Sequence, residues 1–241
     1  MKKFFVVFSL LSILFITGCN KNENELVLVT EAGFAPYEYY EDGEIVGIDI
    51  DIAREVAKEL GKELVVKDIA FDSIINEVKT GKSDFAAAGI SYTEERAKAV
   101  AFSNNYADSK QVVLVRNDST INSSADLVNA KIAVQLGSVA DTYVTSKYKK
   151  AEIIRQKKYL ATIQDLEDGK ADCVVMDELP AKEILKTKDN MRILDKALVV
   201  DSYGIIVKKN NEELLEVINK VIKRMQDDGS LNASILEHTT K

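Results

Sequence analysis

The chain has 241 residues, 46% of them hydrophobic and 29% charged, and a formal net charge of −7. A field of that sign repels nucleic acid and anionic lipid headgroups and argues against either as a binding partner. The one histidine is His238, so the 241 residues offer no Ser-His-Asp or Cys-His arrangement and no His-based metal site; no metal and no cofactor is expected.

The first stretch, MKKFFVVFSLLSILFITGCN, sets two lysines before an uncharged apolar run from Phe4 to Ile16. That run is shorter than the about 20 residues a transmembrane helix needs, and the pattern is that of a signal peptide. Ile16-Thr17-Gly18-Cys19 resembles the lipobox of bacterial lipoproteins. Residues 1–18 are therefore expected to be cleaved, Cys19 to be lipid-modified, and residues 19–25 to serve as a flexible tether. The expected product is exported, monomeric and anchored on the outer face of the cytoplasmic membrane. It keeps 30 basic and 39 acidic residues and four phenylalanines: Phe34, Phe71, Phe85 and Phe102. Cys173 lies in the apolar run CVVM and is expected in the core.

From Leu26 the chain alternates strands and helices. LVLVT (Leu26 to Thr30) reads as a buried strand, followed by a loop with Pro36 and the turn pair Asp42-Gly43. Ile52, Ala53, Val56, Ala57 and Leu60 mark one helical face, stopped by Gly61. ELVVKD is the next strand, Phe71 to Thr80 the next helix, and Phe85 to Ala88 a third strand broken by Gly89. Ser91, Thr93 and Arg96 follow. Hydroxyls and a guanidinium just past a strand end suit a carboxylate, although Thr93 also reads as a helix cap and Arg96 as a surface partner of Glu94 or Glu95. QVVLVRN, KIAVQ and CVVM are further strands. Gly137-Ser138 begins one helix, and Leu214, Ile218, Val221, Ile222 and Met225 form the buried stripe of another. A short helix is expected from Ser230 to His238.

Val78 to Ser91 and Leu166 to Leu179 echo each other: helix end, Gly-Lys-x-Asp, four apolar residues, then a polar position. Gly89 and Asp177 each fall five residues after the aspartate, at the carboxyl end of a strand, where open α/β sheets bind ligands. The pattern predicts an α/β protein of two similar lobes, each a mostly parallel sheet flanked by helices, facing a shared cleft.

These pieces, in this order, resemble the bacterial extracellular solute-binding proteins of polar amino-acid ABC importers, the family of glutamine, histidine and lysine/arginine binders. The resemblance rests on Phe34-Ala35-Pro36-Tyr37, Gly47 to Ala53, Gly89-Ile90-Ser91 with Thr93 and Arg96, Phe102-Ser103, Gly137-Ser138 and Gly169-Lys170 leading to Asp177. It implies a two-lobed periplasmic-binding-protein fold, with lobe 1 formed by residues 26–107 and 204–238, lobe 2 by 110–200, and crossings near Tyr106 to Lys110 and Asp201 to Ile205.

It implies roles as well. Arg96, with amides at Ser91 and just after Ser138 near Val139, would hold a ligand α-carboxylate. Asp177, the Gly89 carbonyl and Ser91 would take the ammonium. Phe34 and Phe71 would sandwich the side chain, and Tyr37 either lines the cleft mouth or packs on its own lobe. Glu31 stands where relatives carry an acid toward the ligand side chain, opposite Gln135 and Met176. That suits lysine, arginine, ornithine or glutamine, unless Glu31 is a solvated loop residue. The plainer reading of Asp177 is a cap of the helix that follows it, against which the family pattern favours the ligand role, and a cap at Ser138 is compatible with its ligand role.

The implied function is capture of a free, polar L-amino acid and delivery to an ABC permease. The alternative is an exported cyclohexadienyl/prephenate-type dehydratase on the same fold, with Glu31 or Glu178 as acid. A third reading, a chemosensory module, is expected to show a signalling domain or second span. Gly81-Lys82-Ser83 is no phosphate loop, since position 76 is Asn where that motif needs Gly.

Overall fold

The computed structural model describes residues 22–240; the expected leader, its cleavage site and Cys19 lie outside them. β1 (Glu25–Thr30) leads to a hairpin of β2 (Tyr39–Glu41) and β3 (Glu44–Val46), then α1 (Ile48–Glu59), β4 (Glu63–Asp68), α2 (Phe71–Lys79) and β5 (Phe85–Ala86). α3 (Glu94–Ala99) and β6 (Val100–Phe102) precede the long β7 (Ala107–Arg116). Strand and helix then alternate through β8 (Lys131–Gln135), α4 (Val139–Lys147), β9 (Glu152–Gln156), α5 (Tyr159–Glu167), β10 (Cys173–Asp177) and α6 (Glu178–Thr187). β11 (Met191–Ile193), β12 (Val199–Tyr203), β13 (Ile206–Lys208), α7 (Glu212–Asp227) and α8 (Ser230–Thr239) follow.

The loop expected after Thr30 holds the β2–β3 hairpin because Asp42 and Gly43 both adopt positive φ, 50° and 87°, the requirement of a two-residue turn whose twist matches its strands. The expected strand Phe85 to Ala88 ends early, at Ala86. Beyond it the backbone turns toward the cleft, with Gly89 at φ 52°.

Two sheets result, in the orders β4-β1-β5-β13-β6 and β11-β7-β10-β8-β9, with β12 pairing β7. The pairs β1/β4, β1/β5, β8/β9 and β8/β10 are parallel, which requires the crossover connections that the intervening helices supply. β13 runs antiparallel to β5 and β6, and β7 runs antiparallel to β10, β11 and β12. The chain passes between the sheets along β7 and β12, which are register-locked from Ala107↔Tyr203 to Gln111↔Val199. On α7 the apolar stripe from Leu214 to Met225 is buried as expected, and Cys173 is fully buried.

The sequence echo has a physical cause. Asp84 takes the Val27 N–H on its carboxylate at 2.8 Å and gives its own N–H to the Val27 carbonyl at 2.9 Å. In the second sheet Asp172 does the same with Lys131, at 2.8 Å in both directions. Each aspartate thus clasps the start of a neighbouring strand and locks the two strands side by side, at the end away from the cleft. Asp84→Ala leaves the buried Val27 N–H without that acceptor and is expected to destabilise the protein by about 1–3 kcal/mol, read as a lower midpoint in urea unfolding.

Candidate functional site

The carboxyl ends of β1, β5, β8 and β10 converge on a small cavity between the lobes, lined by residues from both. Its walls bring together Glu31, Phe34, Phe71, Gly89, Ser91 and Arg96 from one side, and Gln135, Ser138, Val139 and Asp177 from the other. Tyr37 is not among them. It is 3% exposed and packs behind Phe34 and against Tyr203, with ring centroids 5.7 and 5.1 Å away. Its aromatic loop folds onto its own lobe, and the expectation that Tyr37 lines the cleft is corrected accordingly. Met176, expected on the wall with Gln135, points into the core at 2% exposure, because side chains along β10 alternate faces and Asp177 takes the cavity side.

Arg96 sits in α3, whose first turn is capped by Thr93 accepting the Arg96 N–H at 3.1 Å. The cap therefore exists, but the guanidinium is no partner of a surface glutamate. It donates to the Ser91 carbonyl at 2.7 Å and, across the cleft, to the Gly137 carbonyl at 2.9 Å, with its carbon 5.6 Å from the Phe71 ring centroid. The rest of the guanidinium fork is left for an anion. Ser138 caps α4 by accepting the Asp141 N–H at 3.1 Å and also lines the cavity. The amides at the start of α4 favour negative charge there.

The opposite end is acidic. Asp177 stands at the N-cap of α6 but makes no capping bond there. Its Oδ1 accepts instead from Ser109 at 2.6 Å, Gln111 at 2.8 Å and the Tyr203 hydroxyl at 2.5 Å. All three bonds fall on one oxygen, so the other remains to receive a donor. Burial pushes this carboxyl up to about 6, against the pull of Ser109 and Tyr203. Gly89 serves as a backbone hub. A side chain at this position would come within 2.5 Å of the Phe34 ring, so glycine is required for that close approach. Its N–H donates to Asp49 at 3.0 Å, and Tyr106 donates to the same oxygen at 2.9 Å.

Glu31 is 2% exposed, which removes the solvated-loop reading. It accepts from Gln135 at 2.9 Å and from the Tyr159 N–H at 3.3 Å. Burial raises its pKa, partly offset by the nearby Lys158 ammonium.

Glu38 and Gln111 also line the cavity and were not anticipated. Gln111 heads an apolar strand, a legible signal. Glu38 lies in an aromatic loop whose burial no local pattern reveals. Its carboxyl is held well above the usual range by burial and by neighbouring Asp49, itself pushed up to about 6. The protonated Glu38 carboxyl meets that of Asp49, and Ser91 neighbours Asp201, while Gln111 Oε1 is a buried oxygen without a hydrogen-bond partner. The arrangement is one of clustered carboxyl groups at one end and a guanidinium at the other.

The chain belongs to the bacterial extracellular solute-binding proteins, family 3, whose pattern matches residues 26–239. It is 28% identical over 221 residues to the arginine-binding extracellular protein ArtP of Bacillus subtilis, covering 89% of this chain and 86% of that one. Its fold is similar to the arginine-bound form of truncated ArgBP from T. maritima, with 38% identity, a TM-score of 0.81 and coverage of 84% and 96%. It is similar also to the substrate-binding protein AbpA of Streptococcus pneumoniae bound to L-arginine, with 32% identity, a TM-score of 0.86 and coverage of 90% and 95%. The chain is accordingly a binding protein that works outside the cytoplasmic membrane, not an enzyme.

Asp177 keeps its proton in the fold up to about pH 6, whereas the same group in the unfolded chain ionises near pH 4. The stability it contributes is complete below the unfolded value and is lost as pH rises through the folded one. Asp177→Asn, neutral throughout, is expected to gain about 1–3 kcal/mol on the ligand-free wild type between about pH 4 and pH 7.5, as measured by urea unfolding at each pH.

Proposed function

We propose that the cavity takes a free L-amino acid with a cationic side chain, arginine ahead of lysine and ornithine, with glutamine as the polar alternative. The observation that carries this reading is the separation of charge along the cavity. Arg96 and the α4 amides meet one end, while the Asp177 carboxyl and the unpaired Gln111 oxygen lie at the other. A zwitterion loses water at both its charges when enclosed, so each must find an opposite partner. In this reading the ligand α-carboxylate pairs with Arg96, the Ser91 amide and the amides beside Ser138 and Val139. The ammonium meets Asp177, Ser91 and the Gly89 carbonyl, and the side chain runs between Phe34 and Phe71 toward Glu31 and Gln135. The three relatives described above, each named as an arginine binder or bound to arginine, support the choice of arginine.

The mechanism that follows is capture by closure. Ligand bridging both lobes favours the closed form, and the closed form is recognised by the permease of an ABC importer. Moving such an equilibrium from 1:99 to 99:1 requires about 5.5 kcal/mol of preferential binding to the closed state, which only groups from both lobes can supply. We propose further that residues 1–18 are cleaved, that Cys19 is lipidated, and that residues 19–25 tether a monomer to the membrane. The lobe limits 26–107 with 204–238, and 110–200, belong to the same proposal. The dehydratase reading gains no support. Glu178 is held in ion pairs by Lys182 at 3.0 Å and Lys110 at 3.9 Å, and it does not line the cavity.

The test is calorimetric titration of the refolded, ligand-stripped chain from Asn20 with each L-amino acid, ornithine, cystine and prephenate. Saturable micromolar binding of arginine, lysine or glutamine without turnover is expected; silence across the panel overturns the amino-acid reading. Arg96→Ala is expected to weaken binding by about 2–5 kcal/mol through the stranded ligand carboxylate, and unchanged affinity in that variant removes Arg96 from the site.

A further inference from the structure

Lys158 is the residue that the function above leaves unused. It occupies the N-cap position of α5 without making a capping bond, and its side chain, 44% exposed, reaches across the cleft. Its ammonium lies 2.6 Å from Asp68 Oδ1 and 3.5 Å from Glu31 Oε1, and it donates to the Ile69 carbonyl at 3.4 Å. The two acids come from adjacent parallel strands of the other lobe, Asp68 paired in register with Thr30, next to Glu31. Asp68 has further donors in the Ala32 N–H at 3.0 Å and the Tyr40 hydroxyl at 3.4 Å.

Glu31 divides its oxygens. Oε2 accepts from Gln135 and the Tyr159 N–H, while Oε1 faces Lys158. Gln135 cannot neutralise a carboxylate. Lys158 is the nearby full positive charge, and it lies just outside the cavity wall against the carboxylate that a ligand side chain would meet from within. A lysine with nearly half its side chain in solvent has room to swing aside, and the Asp68 carboxylate gives it a place to stay. A neutral ligand amide can hydrogen-bond to Glu31 while Lys158 keeps the charge balanced. A guanidinium or ammonium brought to Glu31 must displace Lys158 or bear its repulsion.

We propose that Lys158 is a built-in counter-cation that sets the selectivity of the side-chain end of the cavity. By occupying Glu31 it lowers the advantage of cationic over neutral polar amino acids. This rests on the amino-acid reading of the cavity. It concerns a residue outside the cavity wall, and Lys158 acts on the ligand through Glu31.

The experiment compares wild type, Lys158→Met and Lys158→Arg by calorimetric titration with L-arginine and L-glutamine, thermal melts serving to establish that each variant folds. Lys158→Met keeps the apolar stem and removes the charge. It is expected to bind arginine more tightly and to raise the arginine-to-glutamine affinity ratio about tenfold, the size of effect expected for one charge a few ångströms away in a partly screened site. Lys158→Arg is expected to hold the wild-type ratio. If Lys158→Met weakens both ligands equally, or leaves the ratio unchanged, Lys158 only ties the lobes together and the proposal is overturned while the amino-acid reading stands. If wild type binds neither ligand nor any other amino acid, that reading falls and takes the proposal with it.

Discussion

A guanidinium enclosed between two lobes must be surrounded by acceptors, and that requirement organises this molecule. Arg96 meets it by reaching the Ser91 carbonyl on its own lobe and the Gly137 carbonyl on the other. The second bond exists only while the lobes face each other closely. The same holds for the buried carboxylate of Glu31, whose donors Gln135 and Tyr159 both belong to the opposite lobe. Each lobe therefore carries a charge or carbonyl that the other completes. An ion that is costly to bury becomes a reason for the two halves to meet.

At the acidic end the same requirement is left partly unmet. Glu38, Asp49, Asp177 and Asp201 crowd a small volume, and burial raises the pKa of each. Hydrogen bonds from Ser109, Gln111, Tyr106, Tyr203 and the Gly89 amide reduce the strain without removing it. Stability is given up locally to hold these carboxyl groups together, and clusters of perturbed carboxyls of this kind are common at functional sites.

Much of this was legible along the chain because it is local. Gly89, Ser91 and Arg96 lie within one strand-turn-helix, and Ser138 with Val139 and Asp177 lie at strand ends marked by Gly-Ser or by the Gly-Lys-x-Asp echo. The echo itself was read as a pointer to binding, and its nearer cause is the backbone clasp made by Asp84 and Asp172. What stayed hidden depends on residues far apart in sequence. Glu38 is an acid in a loop until Asp49 and the aromatic rings close over it. Lys158 is an ordinary helix-start lysine until Asp68, 90 positions earlier, comes within 2.6 Å. Tyr37 was the converse case, an aromatic whose packing partners Phe34 and Tyr203 decide which way it turns. Period and composition describe a face, and they do not say what that face will meet.

The ribbon formed by β7 and β12 joins the lobes, and its five paired positions from Ala107↔Tyr203 to Gln111↔Val199 carry Ser109, Gln111, Asp201 and Tyr203. Those are the side chains that hold Asp177 or line its surroundings. The pivot and the recognition surface are thus one piece of backbone. Any twist of the ribbon re-aims the groups around Asp177. In this chain the geometry around Asp177 and the angle of the ribbon are not independent variables.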